Sequence, residues 1–177
     1  MSLLENELVK LRSLEPMDLD LLFSIENDSQ NWEVSNTLTP FSRDVLSKYL
    51  KNAHQDIYEA KQLRLVITRK SDSLVLGLID LFDFNPQHER AGIGILILNK
   101  FQRQGYAQST LELFLNYAFE HLDLHQIYAN IPVDNKSSLA LFSKMNFKET
   151  GVKKSWIKVK GKFKDIAILQ ILNPKHT

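Results

Sequence analysis

Apolar and polar positions alternate roughly along Leu8-Val9-Lys10-Leu11-Arg12-Ser13-Leu14, which predicts a strand, and Glu15-Pro16 then places a proline where a first helical turn accepts it. Leu19, Leu22, Phe23 and Glu26 recur at helical spacing, and the polar run Asn27-Asp28-Ser29-Gln30-Asn31 predicts the end of that helix and a long loop to about Pro40. Ser42 is a capping residue and Asp44 suits a positive first turn. Val45, Leu46, Tyr49, Leu50 and Ala53 give the stripe of a second helix that ends near Tyr58.

From Leu63 the period changes to two. Leu63 to Thr68, a Ser71-Asp72-Ser73 turn, Leu74 to Phe84, an Asn85-Pro86 loop and Ala91 to Leu98 predict three consecutive strands. The third is apolar on both faces, Ile93, Ile95 and Ile97 against Leu96 and Leu98, as in a strand buried mid-sheet, and it ends at Asn99-Lys100. Ala107, Leu111, Phe114, Leu115, Ala118 and Leu122 share one face of a long helix, and Gln126 to Ile131 follows as a strand, so a right-handed parallel crossover is expected. Asn135-Lys136-Ser137-Ser138 opens a short helix carrying Leu139, Phe142 and Met145. Ser155 to Val159 and Lys162 to Ile171 flank Lys160-Gly161, a two-residue hairpin signal. Without repeats or a linker, residues 1–177 read as one domain, α plus β around one mixed sheet.

Composition narrows the partners. The 177 residues are 44% hydrophobic and 24% charged, which is globular usage, and a net charge of +1 leaves no global basic field for nucleic acid or an anionic membrane. Cysteine is absent, which removes disulfides and thiolate chemistry and is compatible with a reducing compartment. The start at Met1 has no basic segment ahead of an apolar one, and the longest apolar run, Ala91 to Leu98, has eight residues where a membrane helix needs about 20. A soluble, cytoplasmic protein with a small-molecule or peptide partner is expected.

Candidate chemistry lies between the buried strand and the long helix. Gln102-Arg103-Gln104-Gly105-Tyr106-Ala107 forms a Gln-x-x-Gly-x-Ala turn, where small residues let backbone amides approach a ligand and the positive helix end favours phosphate. No Gly-Lys-Ser/Thr follows, so it is not a nucleotide P-loop. A second segment runs from Val133-Asp134-Asn135-Lys136-Ser137-Ser138 through Leu139-Ala140-Leu141-Phe142 to Lys144-Met145-Asn146-Phe147. Together the two resemble the GNAT family of acetyl-CoA-dependent N-acetyltransferases, most closely its spermidine and ribosomal-protein acetyltransferase branch, over residues 8 to 172. The resemblance implies an α/β (α+β) fold. Its mostly antiparallel sheet of about seven strands, with a parallel pair splayed at the acetyl-CoA site, would be flanked by about four helices.

It also implies roles. Backbone groups of Leu96 and Leu98 would pair with the pantetheine arm, and an amide near Leu98 would hold the thioester carbonyl as the oxyanion donor. Arg103, Gln104, Gly105, Tyr106, Ala107 and Gln108 would surround the pyrophosphate. Asn135 and Ser138 would bond the pantetheine beside Phe142, although Asn135 suits a plain helix cap too. Acetyl-CoA would be the cosubstrate, with no metal. His121-Leu122-Asp123-Leu124-His125 spans a helix end without a supporting cluster. The acceptor would be a polyamine or a protein N-terminal or lysine amine.

An amine is mostly protonated at pH 7, so a carboxylate must take its proton. Here the chain departs from its relatives twice: Gly92 stands where they often carry Glu, and Phe142 where they commonly carry a Tyr that protonates the thiolate. Phe donates no proton. Asp80 interrupts an apolar strand and reads as a base, an acceptor ligand or a paired structural carboxylate. Asp83 and Glu89, at the strand ends near Gly92, are further candidates or plain solvated carboxylates; Tyr106 or Tyr128 is a candidate acid, but a buried tyrosine is usually core, so water or no acid at all is the favoured reading. Glu26, Asp28 and Glu33 with Trp32 suit a cationic amine, or form a solvated loop. Lys153, Lys154, Lys158, Lys160, Lys162 and Lys164 are expected on an exposed hairpin face. A non-catalytic acyl-CoA-binding module on the same fold is the alternative that the two departures raise. Exposed sheet edges are compatible with a homodimer.

Overall fold

The structure, a computed structural model, describes residues 2–35 and 37–176; Met1, Asn36 and Thr177, on which the chain start, part of the expected loop and the domain's last residue fall, lie outside the described residues. Two compact units divide the chain, Met1–Ser13 with Ile57–Thr177, and Leu14–Asp56.

The larger unit holds a seven-stranded sheet of β1 (Val9–Ser13), β2 (Leu63–Arg69), β3 (Val75–Asn85), β4 (Arg90–Ile97), β5 (Gln126–Pro132), β6 (Lys148–Val159) and β7 (Lys162–Leu172), in the order β1-β2-β3-β4-β5-β7-β6. Every neighbouring pair is antiparallel except β4 and β5, which are parallel. That crossover is made by α5 (Tyr106–Glu120). Ile79 and Leu81 of β3, Ala91 and Ile93 of β4 and Ile127 and Ala129 of β5 join Leu111, Phe114, Leu115 and Ala118 of α5 in one buried cluster. Phe142 of α6 (Lys136–Lys144) belongs to the same cluster. Each such large apolar side chain contributes roughly 1.5–3 kcal/mol through removal from water. The alternation of β3 and the one-faced stripe of α5 are thus two halves of one core.

The smaller unit holds α1 (Leu19–Glu26), α2 (Trp32–Ser35) and α3 (Arg43–Lys51). Ser42 caps α3 as expected, its hydroxyl accepting from the Val45 amide at 3.2 Å. Arg43 lies over the Phe23 ring, 4.4 Å from its centroid, and pairs with Asp20, which ties α3 to α1. Among the described residues four helices have eight residues or more, α1, α3, α5 and α6; α2 and α4 (Ile57–Ala60) are single turns.

Three boundaries differ from the sequence expectation. The loop expected to about Pro40 contains α2, because Asn31 and Trp32 side chains bond back to carbonyls at the end of α1. The second helix stops at Lys51, where the Asn52 amide closes back on Lys48 and Tyr49; Ile57 and Tyr58 belong to the separate turn α4. Finally, β6 starts at Lys148, seven residues before the expected Ser155, and register shifts at Glu149/Gly151 and Lys153/Ile157 explain the miss. Each bulge inverts the alternation that a strand is recognised by. The hairpin lysines are exposed except Lys153 and Lys164, which are half-buried; Lys164 pairs with Asp134. Among the described residues no helix is long and apolar enough to cross a membrane.

Candidate active site

The parallel pair is short. β4 and β5 pair only through Arg90↔Gln126, Ala91↔Ile127 and Gly92↔Tyr128, yet β4 runs on beside β3 to Ile97 and β5 runs on beside β7 to Pro132. The two strands therefore diverge after Gly92 and leave a gap into which one edge of β4 points its backbone.

Register decides which groups these are. The Leu98 amide donates to the Leu76 carbonyl at 2.8 Å, and the Leu96 carbonyl faces β3 so closely that a Cβ on Gly77 would lie 1.9 Å from it. Antiparallel partners alternate between bonded and non-bonded pairs, so the polar groups of Ile95 and Ile97 face the other way, toward the gap. This corrects the expectation for Leu96 and Leu98: their backbone groups are committed to β3, and the Leu98 amide is not available to an oxyanion. The backbone edge that faces the gap is that of Ile95 and Ile97. The Gln102 side-chain amide donates to the Ile97 carbonyl at 3.0 Å and to Asn99 at 3.1 Å, fixing the turn that leaves β4.

That turn leads into α5 through Arg103 at φ 60° and Gly105 at φ 84°. Gly105 is the N-terminal flanking residue of α5 and brings no side chain to cap it, so the first-turn amides are left for an outside acceptor. Arg103 and Gln104 are exposed, Ala107 and Gln108 half-buried, and the Gln104 side chain donates to the Lys100 carbonyl at 3.1 Å. A ring of amides at a positive helix end suits a pyrophosphate. Tyr106 instead is 7% exposed in the core and its hydroxyl meets the Arg69 guanidinium, so it does not stand free as an acid.

On α6 the Asn135 side-chain oxygen accepts from the Ser138 amide at 3.2 Å, the cap expected of it, which leaves its amide nitrogen as a donor. Ser138 is half-buried. Phe142 is 4% exposed, its ring edge-on to Phe147 with centroids 4.9 Å apart, so it is a core residue rather than a surface for the coenzyme.

Gly92 has a steric cause. A Cβ there would lie 2.2–2.8 Å from atoms of the Phe82 ring, so the place of a carboxylate side chain is taken by an aromatic one. Phe82 also meets Tyr128 edge-on at 5.9 Å, and the Tyr128 hydroxyl donates to Asp83 at 3.1 Å. Burial, then the Asp83 carboxylate, push the Tyr128 hydroxyl up to about 12. Asp83 and Tyr128 line a cleft of ≈ 610 Å³ together with Lys61, Asn85, Gln87 and Arg90. Asp80 does not line this cleft: it lies opposite Arg64 across β2 and β3 and the two form an ion pair, the arrangement of the paired-carboxylate alternative. Glu89 is exposed in the β3–β4 turn, and its carbonyl holds the His125 and Gln126 amides. Sequence reasoning missed Phe82 and the strand phase of Ile95 and Ile97, since neither a ring's direction nor a hydrogen-bond phase is written in an apolar run.

Glu26, Asp28, Trp32 and Glu33 belong to the Leu14–Asp56 unit. The Trp32 indole donates to the Glu26 carbonyl at 2.8 Å and Asp28 accepts from the Gln30 amide at 2.9 Å, so both side chains serve first to shape the loop.

A family model, the acetyltransferase (GNAT) domain, matches residues 9–148. Spermidine N(1)-acetyltransferase of Vibrio cholerae is 24% identical, with 97% of this chain and 96% of that protein covered. A putative ribosomal N-acetyltransferase of Bacillus subtilis is 27% identical over 57% of this chain and 55% of that protein. The crystal structure of the Vibrio cholerae spermidine N-acetyltransferase in complex with CoA and spermine superposes with a TM-score of 0.87 at 27% identity, over 97% of this chain and 99% of that one. A gap between diverging parallel strands, followed along the chain by an uncapped helix start, thus comes with a matching family model, and the chain belongs to the GNAT family as an acetyl-CoA-dependent N-acetyltransferase that acylates an amine.

Proposed function

We propose that this chain acetylates a cationic primary amine of the polyamine class, with acetyl-CoA held along β4 and at the start of α5. The observation that carries the reading is the β4–β5 gap with the Ile95 and Ile97 backbone turned into it, next to the amides that Gly105 leaves uncapped. Acetyl-CoA supplies an activated thioester. Ile95 and Ile97 pair with its pantetheine as an added strand, one of their amides polarises the carbonyl, the α5 amides with Arg103 hold the pyrophosphate, and Asn135 donates to the arm. Positioning and that fixed dipole supply most of the rate. Carboxylates at Glu26, Asp28 and Glu33, all within eight residues, support a polycationic acceptor, as does the substrate named for the Vibrio cholerae relative. A protein N-terminal amine is the second class to assay, supported by the ribosomal relative. The β6 edge of the sheet supports self-association at least to a dimer, whereas the β1 edge is covered by the bridge Glu5↔Lys10 and the bond from the Leu11 amide to the Leu4 carbonyl.

Release of CoA thiol, followed with a thiol reagent across polyamines, peptides with free N-termini, aminoglycosides and amino acids, tests this; the protein has no cysteine to give background. Turnover is expected with spermidine or spermine. Gly105→Glu, which places bulk and negative charge at the phosphate end, is expected to abolish acetyl-CoA binding by calorimetry. Tight binding by that variant, or turnover confined to peptides, would overturn the corresponding half of the reading.

A further inference from the structure

We propose that Tyr128 and Asp83 form the proton-accepting pair of this transferase, an assignment that rests on the reading of the β4–β5 gap as the acetyl-transfer site. Four features support it. First, Gly92↔Tyr128 is the last pair before the strands part, so Tyr128 stands at the closed end of the gap. Second, the missing side chain of Gly92 lets the Phe82 ring lie over it and meet Tyr128 edge-on, which orients the phenol across β4 toward β3. Third, the hydroxyl donates to Asp83 at 3.1 Å, so its oxygen lone pairs remain to accept from an incoming ammonium. Fourth, Asp83 is exposed on a bulge at φ 49° and lines the ≈ 610 Å³ cleft, through which a captured proton reaches solvent.

The competing carboxylates are placed otherwise. Asp80 is paired with Arg64, and Glu89 lies exposed in the β3–β4 turn. The chemistry needs such a group because an alkylamine with a pKa near that of lysine is neutral in only on the order of one molecule in 10³ at pH 7. In the step, an ammonium proton passes to the Tyr128 oxygen while the Tyr128 proton passes to Asp83, which releases it to the cleft. The freed amine nitrogen bonds to the thioester carbonyl carbon, the carbon–sulfur bond breaks, and the second N–H proton leaves with the thiolate as free thiol. The sum is ammonium plus acetyl thioester giving amide, thiol and one proton. No tyrosine is then needed at Phe142. The charged groups around the phenol are Asp83 on β3, Arg90 on β4 and Lys61 before β2; the Arg90 charge opposes the upward pull of burial and Asp83 on Tyr128.

The test measures kcat/KM for Asp83→Asn, Tyr128→Phe and the double variant, from neutral pH up to the pKa of the acceptor amine, in the same amine panel as the unaltered protein. Asparagine tolerates the left-handed backbone of position 83 and phenylalanine keeps the contact with Phe82, so thermal midpoint and acetyl-CoA affinity are expected to hold. Each single variant is expected to lose about 10²-fold at neutral pH. The double variant should lose no more than either, because the two act as a unit. The deficit should shrink as pH rises and the amine arrives already neutral. Variants that match the unaltered protein, or a deficit equal at every pH, would overturn the pair while the acetyltransferase reading stands. Silence of the unaltered protein with every amine would overturn that reading, and the pair with it.

Discussion

Gly105 and Gly92 are both glycines at the site, yet opposite physics selects them. Gly105 has nothing within 4 Å of its absent Cβ and is chosen for its backbone, at φ 84°, whereas Gly92 has an ordinary backbone and is chosen for space, with Phe82 ring atoms from 2.2 Å. Gly92→Ala is therefore expected to cost about 1–3 kcal/mol, since the ring has to leave its place. Combining it with Phe82→Ala should recover at least about 1 kcal/mol relative to the sum of the two single changes, a coupling that chemical denaturation of all four proteins reads directly. At this scale the sequence told only that a carboxylate was missing at position 92. The reason is a side chain ten residues away on the neighbouring strand, and only the register Phe82↔Gly92 brings the two together.

Elements explain which site residues were legible. Helix starts follow from order along the chain, because capping and left-handed turns are local: Gly105 before α5, Asn135 before α6 and Ser42 before α3 all stand where expected. Asn135 has two roles that one substitution separates. Asn135→Ser keeps a capping oxygen and is expected to leave the thermal midpoint near that of the parent, while Asn135→Ala should cost about 1 kcal/mol. Both remove the amide donor, so both should weaken acetyl-CoA binding in calorimetry if that amide holds the pantetheine, and neither should if Asn135 only caps. Strand phase is different. Ile93 to Leu98 is apolar on both faces, so nothing local separates the residues whose backbone faces β3 from those facing the gap, and the expectation was one residue out of phase. Bulges hid the first half of β6 for the related reason that they break the period.

For the molecule as a whole, charge is balanced and distributed in pairs at or near the surface rather than collected in a field. The Arg69 guanidinium holds Asp72 down at about 2, Lys164 lowers Asp134, the Ser155 amide and then Lys154 lower Asp165, and Lys70 lowers Glu5. Each of these carboxyls binds its proton less readily folded than unfolded, so its contribution is present above the unfolded pKa near 4 and is lost as pH falls toward the folded value. Thermal midpoints are expected to stay level from about pH 8 to about pH 5 and to fall below about pH 4, less steeply in high salt because each pair has at least one solvent-exposed partner. Melting curves across that range check it. The sequence by itself determined the order of strands and helices, the family and the places where α3, α5 and α6 begin, because periodicity and capping depend on neighbours a few residues apart. Tertiary structure alone decided that Ile95 and Ile97, not Leu96 and Leu98, face the gap, that Asp80 is paired with Arg64, and that Phe82 stands over Gly92 and orients Tyr128 toward Asp83. Each of those depends on the register between strands far apart in the chain, which a local pattern does not encode.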